Sequence, residues 1–148
     1  MRMKAKSLSI VALLAIVPGL ALAKDKVVHF PFENAVIAAT QSGKLDGTVK
    51  FYLAGSTPSG HVEVVSDYLL VTRRTNAFGK NDQKACDWAL QSALIAMQEG
   101  AKEAGVNALV DIVSDFGSEY RDSTNYECHV GTLMAEVSLK IKRAKVQP

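Results

Sequence analysis

The stretch QKACDWALQSALIAMQEGAKEA, residues 83–104, decides the fold because it carries the clearest helical periodicity in the chain. Its apolar and small residues recur three or four positions apart, the spacing of one buried face of an α-helix. Asn81 or Asp82 can cap the start of this helix, and Gly105 stands where a helix commonly ends. The predicted buried face consists of Cys86, Leu90, Ala93, Met97, Ala101 and Ala104. The alanines on this face favour a close approach to a sheet.

Shorter patterns on both sides of the helix predict the remaining elements. We expect residues 48–53 and 61–72 to pair as a hairpin around the turn sequence of residues 55–60. The whole order predicts an α+β domain, a two-layer sandwich in which the long helix, about 83–104, packs across a mainly antiparallel sheet. The predicted elements are an extended segment over 24–31, a short helix over 32–42, a strand over 48–53, one or two strands over 61–72, the long helix, a strand over 108–115 and a last strand from 125 to about 142.

The last predicted strand contains a change of phase. Its apolar residues occupy even positions up to Val130 and odd positions from Leu133 onward. Because a shift of one residue turns every side chain to the opposite face, one extra residue must be absorbed between the two sets. We therefore expect a β-bulge at or beside Gly131, with Cys128 and Leu133 both directed at the long helix.

The first 23 residues have the three parts of a secretory signal peptide. Basic residues at positions 2, 4 and 6 precede an apolar stretch over 8–20, and Ala21-Leu22-Ala23 supplies a small-x-small cleavage site. We expect cleavage after Ala23, which leaves a single domain over 24–148 in the periplasm or outside the cell. The alternative is an uncleaved anchor, but the apolar stretch is shorter than the ~20 residues of a spanning helix.

Removal of the signal changes the charge of the chain. Three of the 17 Lys and Arg residues lie in residues 1–23 and none of the 15 Asp and Glu do, so 14 basic residues remain against 15 acidic ones. Nucleic-acid binding usually requires a clustered excess of basic charge. We expect no nucleic-acid partner and no membrane span after cleavage.

The two cysteines, Cys86 and Cys128, are predicted to form a disulfide. Thiols in an oxidising compartment are more often bridged than catalytic or metal-bound. Cys86 lies on the buried face of the long helix, and Cys128 is predicted to face inward on the last strand. A bridge between them would constrain the unfolded chain by roughly 4 kcal/mol in the chain-entropy model.

Patterns that would indicate an enzyme are weak. Cys128 is next to His129, but neighbours on a strand point to opposite faces, so the imidazole does not reach the sulfur. Asp111 and Asp115 stand about 13 Å apart along a strand, too far to cooperate as an acid and base, and are interpreted as solvated edge residues. The glycine-containing segments near Gly55 and Gly79 each lack parts of a phosphate-binding loop. We expect neither catalysis nor a cofactor.

One segment stands out as a candidate ligand site. Residues 73–82, RRTNAFGKND, are predicted to form a polar loop that leads into the start of the long helix. Basic side chains and free backbone N–H groups at such a position can hold an anion. The candidate residues are Arg73, Arg74, Lys80 and Lys84, and the competing interpretation is a solvated loop. A metal site is an alternative, with His129 as its candidate ligand.

Several motifs in this chain together resemble one protein family. They are TNAFGK over 75–80, ACDW over 85–88, GVNALV over 105–110 and ECHVG over 127–131. The chain resembles a family of small exported proteobacterial proteins that often carry the label excinuclease ATPase subunit. That label does not fit, because such an ATPase is a large cytoplasmic protein with Walker motifs and zinc modules. The resemblance implies export.

A second, remoter resemblance concerns the second half of the chain. The order of a helix, GVNALV, a strand, a loop and a strand with CHVG is similar to the folded domain of the outer-membrane lipoprotein sensor of the Rcs envelope-stress system. That similarity implies a disulfide-bonded binding module. This chain departs from it in having no lipid-anchor cysteine and only two cysteines.

These observations lead to one functional expectation and one alternative. The expected function is a small periplasmic, disulfide-bonded binding or structural module without catalytic activity, whose partner is an unknown envelope protein or component. The alternative is a protein that binds a small molecule, an anion or a metal ion through residues 73–84 or His129. A flat surface beside Arg73, Lys80 and Trp88 favours the first, and a closed pocket there favours the second.

Overall fold

The computed structural model describes residues 25–148, so the predicted signal peptide and its predicted cleavage site at Ala23 lie outside the described residues. The predicted α+β class is confirmed: one mixed sheet carries a long and a short helix. The elements are β1 (Lys26–Pro31), α1 (Phe32–Gln41), β2 (Lys50–Leu53), β3 (His61–Val64), β4 (Leu69–Asn76), α2 (Asp82–Glu103), β5 (Ala108–Asp115), β6 (Glu119–Tyr120), β7 (Asn125–Val130) and β8 (Met134–Gln147).

The sheet is organised around β8, which is long enough to pair with four other strands. β3 and β4 pair with it antiparallel along one side. β5 and β7 pair with it antiparallel along the other side. β1 then adds to β7 antiparallel, and β2 adds to β5 parallel. The outer border on this side of the sheet is therefore formed by β1, β2 and the short strand β6, which pairs with the end of β5. β1 and β2 are the two strands that flank α1 in the chain.

The long helix α2 has the ends that its sequence predicts. The backbone N–H of Lys84 donates a 2.8 Å hydrogen bond to Oδ1 of Asn81, which is the N-cap. At the other end Gly105 adopts a φ of 70°, and the N–H of Val106 bonds back to the carbonyl of Ala101. The side chains of Ala85, Ala89, Ala93 and Ala101 are fully buried, which confirms close packing of the helix against the sheet.

The predicted disulfide between Cys86 and Cys128 is confirmed. Their Cα atoms lie 6.0 Å apart, and both residues are fully buried between α2 and β7. The bridge spans 42 positions in sequence and ties the second turn of the helix to the strand that lies under it.

The predicted bulge at Gly131 is wrong, because residues 125–147 form a hairpin of two strands instead of one long strand. Val130 pairs with Ala135, and the N–H of Gly131 donates to the carbonyl of Met134 across a tight turn. Residues directly opposite each other share a face of the sheet. Even positions of β7 therefore match odd positions of β8, and the chain reversal itself produces the change of phase. Leu133 lies in the turn and is 61% exposed, so it does not face the helix.

The predicted hairpin of residues 48–53 with residues 61–72 is also wrong. β2 pairs only with β5, whereas β3 and β4 pair with β8 on the far side of the sheet. The turn residues that follow β2 lead the chain across the sheet to β3 instead of reversing it into a strand beside β2. Residues 73–76 belong to β4, so the polar loop before α2 is shorter than predicted.

Candidate functional site

A concave groove lies between α1 and β2, with a volume of about 660 Å³. One wall is the outer side of α1, and the other is the edge of β2. Its lining surface is mainly apolar, and among residues 25–148 the charged side chains that line it are Glu33 and Lys50. Clefts of this size that combine a mainly apolar surface with some polar groups are a usual form of binding site in proteins.

The sequence of α1 explains why its outer side is left open. Phe32, Ala35 and Ala39 are buried and attach the helix to the core. Val36 and Ile37 stand beside this stripe instead of within it, and Ile37 is 45% exposed. A helix of ten residues whose buried stripe consists mostly of alanine approaches the core closely, so its larger apolar side chains remain at the groove.

The loop between α1 and β2 is fixed by contacts with α2. The backbone N–H of Asp46 donates to the side-chain oxygen of Gln98, and Lys44 donates to the side-chain oxygen of Gln91 at 2.9 Å. The Asp46 carboxylate accepts hydrogen bonds from Lys102 and Thr48, which hold its pKa well below the usual range. These contacts give the open end of the groove a defined shape, with Leu45 buried beneath it.

The border of β2 that faces the groove has no strand partner among the described residues. The N–H of Lys50 bonds to Asn107, and the N–H of Ala54 bonds to Ile112, so these groups point toward β5. Backbone groups of successive residues in a strand alternate in direction. The N–H groups of Phe51 and Leu53 and the carbonyl of Phe51 therefore point outward at the groove. The Leu53 carbonyl already accepts the N–H of Ser56.

The four basic residues predicted as an anion site do not converge. Arg73 and Arg74 are neighbours in β4 and so project to opposite faces of the sheet. Arg73 donates to the carbonyl of Thr72, and Arg74 pairs with Glu136. Lys80 and Lys84 lie together instead, with their ammonium groups 4.9 and 5.3 Å from the centre of the Trp88 ring.

The surface beside Trp88 is a shallow, open hollow of about 330 Å³. Lys84 and Asp87 contribute opposite charges to it, and Asn81 commits its side-chain oxygen to the helix cap. Arg73 and Lys80 do not line it. An open surface, in contrast to a closed pocket, favours contact with a protein over enclosure of a small ligand.

His129 lies on the face of the sheet opposite the helices, away from Cys128, as the strand alternation predicts. Glu127 stands between two imidazoles: His29 Nε2 is 3.3 Å from one carboxylate oxygen and His129 Nε2 is 2.8 Å from the other. Tyr120 stacks on His29 and Phe116 stacks on His129, with ring centres 4.1 and 3.6 Å apart. The two nitrogens approach different oxygens, and among residues 25–148 no group of three or more such side chains is placed to hold a metal ion.

The interpretation of Asp111 and Asp115 as edge residues is wrong, because β5 is paired on both sides. Asp111 lies where the register of β5 shifts and has a φ of 48°, which is rare for a residue with a side chain. Tyr68 and Arg121 both donate to its carboxylate. Burial acts to raise its pKa, but these hydrogen bonds outweigh burial and hold the pKa below the usual range.

This network continues over the same face of the sheet. Arg121 also pairs with Glu119 at 2.9 Å, and Lys140 pairs with Glu119 and Asp115 at 3.0 and 3.3 Å. Lys140 lies 4.9 Å from the centre of the Tyr68 ring. The groups neutralise one another, so the arrangement fixes the loop around β6 to the sheet.

The groove was not predicted from the sequence, although one signal for it exists. The adjacent apolar residues Val36 and Ile37 extend the apolar side of α1 beyond the stripe of Phe32, Ala35 and Ala39. A helix that packs against the core along a single stripe gains nothing in stability from apolar residues beside that stripe. The free border of β2 had no signal in the sequence, because it depends on which strand β2 pairs with.

Neither a family model nor a curated protein matches this chain. Within residues 25–148, no helix has both the length and the apolar character that a membrane crossing requires.

Proposed function

We propose that this protein is a small exported binding module of the cell envelope, without catalytic activity, and that it binds its partner in the groove between α1 and β2. Export follows from the signal-like sequence of residues 1–23. The disulfide supports the same compartment, because such bonds persist where the surroundings are oxidising.

The observation that carries the proposal is the groove itself. It combines a mainly apolar lining surface with outward-pointing backbone groups of Phe51 and Leu53, and α1 holds it open. Exposed apolar surface of this kind in a small domain commonly marks a place where another molecule binds. The position of the disulfide suits this role, because it stabilises the contact between α2 and the sheet and leaves the groove untouched.

The absence of catalysis is part of the proposal and has its own support. Both thiols are joined in the disulfide, so neither is available as a nucleophile. The carboxylates of Asp111 and Asp115 each pair with a basic side chain, Arg121 and Lys140 respectively. General acid–base work needs a titrating group that is free to reach a substrate.

Site-specific photo-crosslinking in cells that produce the full chain tests the proposal. A photoreactive phenylalanine derivative at Ile37 should form a covalent adduct with an envelope component, because this side chain lines the groove. The same derivative at Leu70, which is 65% exposed on the sheet, is the control and should form none. Adducts from the same derivative at Phe78 or Trp88, near the start of α2, but none from Ile37 would place the binding surface at the start of α2. That result would contradict the proposal.

The compartment is tested separately. Mass spectrometry of the purified protein should show a chain that begins at Lys24, and Ala23→Leu should leave the precursor uncleaved. A chain that keeps residues 1–23 and stays in the cytoplasm would refute export.

A further inference from the structure

We infer that the occupant of the groove is an extended segment of another polypeptide, which adds to β2 as a further strand of the sheet. This inference rests on the proposed binding function and specifies the class of partner. It is drawn from the backbone of β2, from the wall that α1 provides and from the size and charge of the groove.

The backbone provides the first argument. The N–H of Phe51, the carbonyl of Phe51 and the N–H of Leu53 point away from β5, as the bonds of Lys50 and Ala54 to β5 require. An extended chain beside β2 would pair with these groups in the pattern of a sheet. Strand addition of this kind obtains affinity from main-chain hydrogen bonds and specificity from alternate side chains.

The wall of the groove provides the second argument. α1 runs beside the free border, and Val36, Ile37 and Thr40 line the space between them. An added strand would direct every second side chain toward these residues. Alternate apolar side chains of the segment would therefore be buried between α1 and Phe51, which is itself packed against the core.

Size and charge decide between a segment and a folded partner. A stable interface between folded proteins uses about 20–30 residues on each side. The groove is formed by 18 residues, and β2 offers only four residues for pairing, a length of roughly 13 Å. Glu33 and Lys50 cancel in charge, so the surroundings favour an uncharged segment over an acidic or basic one.

The probe is a phage-displayed library of random decapeptides, selected on the purified protein with its disulfide intact. The enriched sequences should alternate apolar and polar residues. A synthetic peptide of the enriched sequence should bind in isothermal titration, and binding should increase the hydrogen-exchange protection of the Phe51 amide. Ile37→Glu should weaken its binding by at least about tenfold. Ala38→Glu, on the same helix but outside the groove, should leave binding unchanged.

Two methylated versions of that peptide separate strand addition from simple apolar contact. One carries N-methyl groups on its odd residues and the other on its even residues, so each loses the donors of one edge. At least one version should bind about tenfold more weakly or worse. If both bind as tightly as the parent peptide, the inference fails while the proposed groove stands. If no peptide is enriched, the inference also fails, and the crosslinking at Ile37 decides separately whether the groove binds anything.

Discussion

The hydroxyl of Tyr126 donates a 2.6 Å hydrogen bond to Oδ1 of Asp87, next to the disulfide that joins the same two elements. Tyr126 is fully buried, and its pKa is raised well above the usual range by burial and by the neighbouring carboxylate. The second turn of α2 is thus held on β7 by one covalent bond and one hydrogen bond. Neither of these contacts involves the groove, so they can be altered without changing the proposed binding surface.

Removal of the hydroxyl by Tyr126→Phe should destabilise the fold by about 1–2 kcal/mol, because Asp87 loses its partner in a half-buried position. Asp87→Asn is the matched variant, since its amide oxygen can still accept the hydrogen bond, and it should cost less. Urea denaturation at neutral pH measures both. A loss for Tyr126→Phe that does not exceed the loss for Asp87→Asn would contradict this prediction.

The same pair predicts a pH dependence. Burial raises the pKa of Asp87 above its ordinary value of 3.8, and the hydrogen bond from Tyr126 opposes this only in part. The folded state therefore holds this proton at pH values where the unfolded chain has released it. The contribution of Asp87 to stability is greatest below its ordinary pKa and is lost as the pH rises through the raised value.

This dependence is measurable as a difference between two proteins. The stability of the unaltered protein relative to Asp87→Asn should decline as the pH rises from about 3 to above the raised pKa. Carboxylates with lowered pKa values, such as Asp122 at about 2, change stability in the opposite direction but are shared by both proteins. A constant difference across this range would contradict the assigned shift.

Replacement of both Cys86 and Cys128 by alanine should lower the free energy of unfolding by about 4 kcal/mol, because the bridge closes a long loop in the unfolded chain. A large share of the stability of a small domain would then be lost. Thermal unfolding by circular dichroism, with and without a reductant, measures this effect. The denatured, non-reduced protein should show no reactive thiol, and two reactive thiols would disprove the bridge.

Substitutions at two glycines distinguish the cost of backbone strain from the cost of steric overlap. Gly105 and Gly60 both have positive φ values, 70° and 93°, but an added Cβ at Gly105 meets nothing within 4 Å, whereas at Gly60 it overlaps the carbonyl of Gln147. Gly105→Ala should cost about 1 kcal/mol from backbone strain alone. Gly60→Ala should cost more, and the excess should appear as faster hydrogen exchange at Val62, which pairs with the end of β8. Equal costs would show that the end of β8 yields without penalty.

Features that depend on local sequence were predicted well. The long helix, its Asn81 cap, its Gly105 end and the 108–115 strand follow from periodicity and end signals within one segment. The disulfide also followed, because each cysteine lay on a face that could be assigned locally. These features need no knowledge of which strands pair.

Features that depend on pairing were not predictable in the same way. The phase change around Gly131 fits either a bulge or a reversal, and only the bond from Gly131 to Met134 distinguishes them. β2 precedes a turn sequence but pairs with β5, which follows it by more than fifty residues. The groove depends on that pairing, so it could not be found from the residues that line it.

The last prediction concerns nucleotides: the protein should neither bind nor hydrolyse Mg-ATP. A triphosphate requires a run of free backbone N–H groups, a lysine near its outer phosphates and a ligand for magnesium. Near the start of α2, fewer backbone N–H groups are free, because the N–H of Lys84 already donates to the side chain of Asn81. Lys80 donates to the carbonyl of Asn76 and lies over the Trp88 ring, and Arg74 pairs with Glu136 on the other face of the sheet.

Two of these basic groups still lie side by side, so a single phosphate is the strongest challenge to this prediction. Lys80 and Lys84 share the Trp88 ring. Two carboxylates lie nearby on the first two turns of α2, Asp82, which pairs with Lys26, and Asp87, which accepts the Tyr126 hydroxyl. An anion would have to displace these contacts and approach two carboxylates. Calorimetric titration with Mg-ATP and with inorganic phosphate should therefore give no saturable heat. A micromolar signal that disappears in Lys80→Ala, but persists in the distant variant Lys145→Ala, would place an anion site at the start of α2 and favour the alternative function.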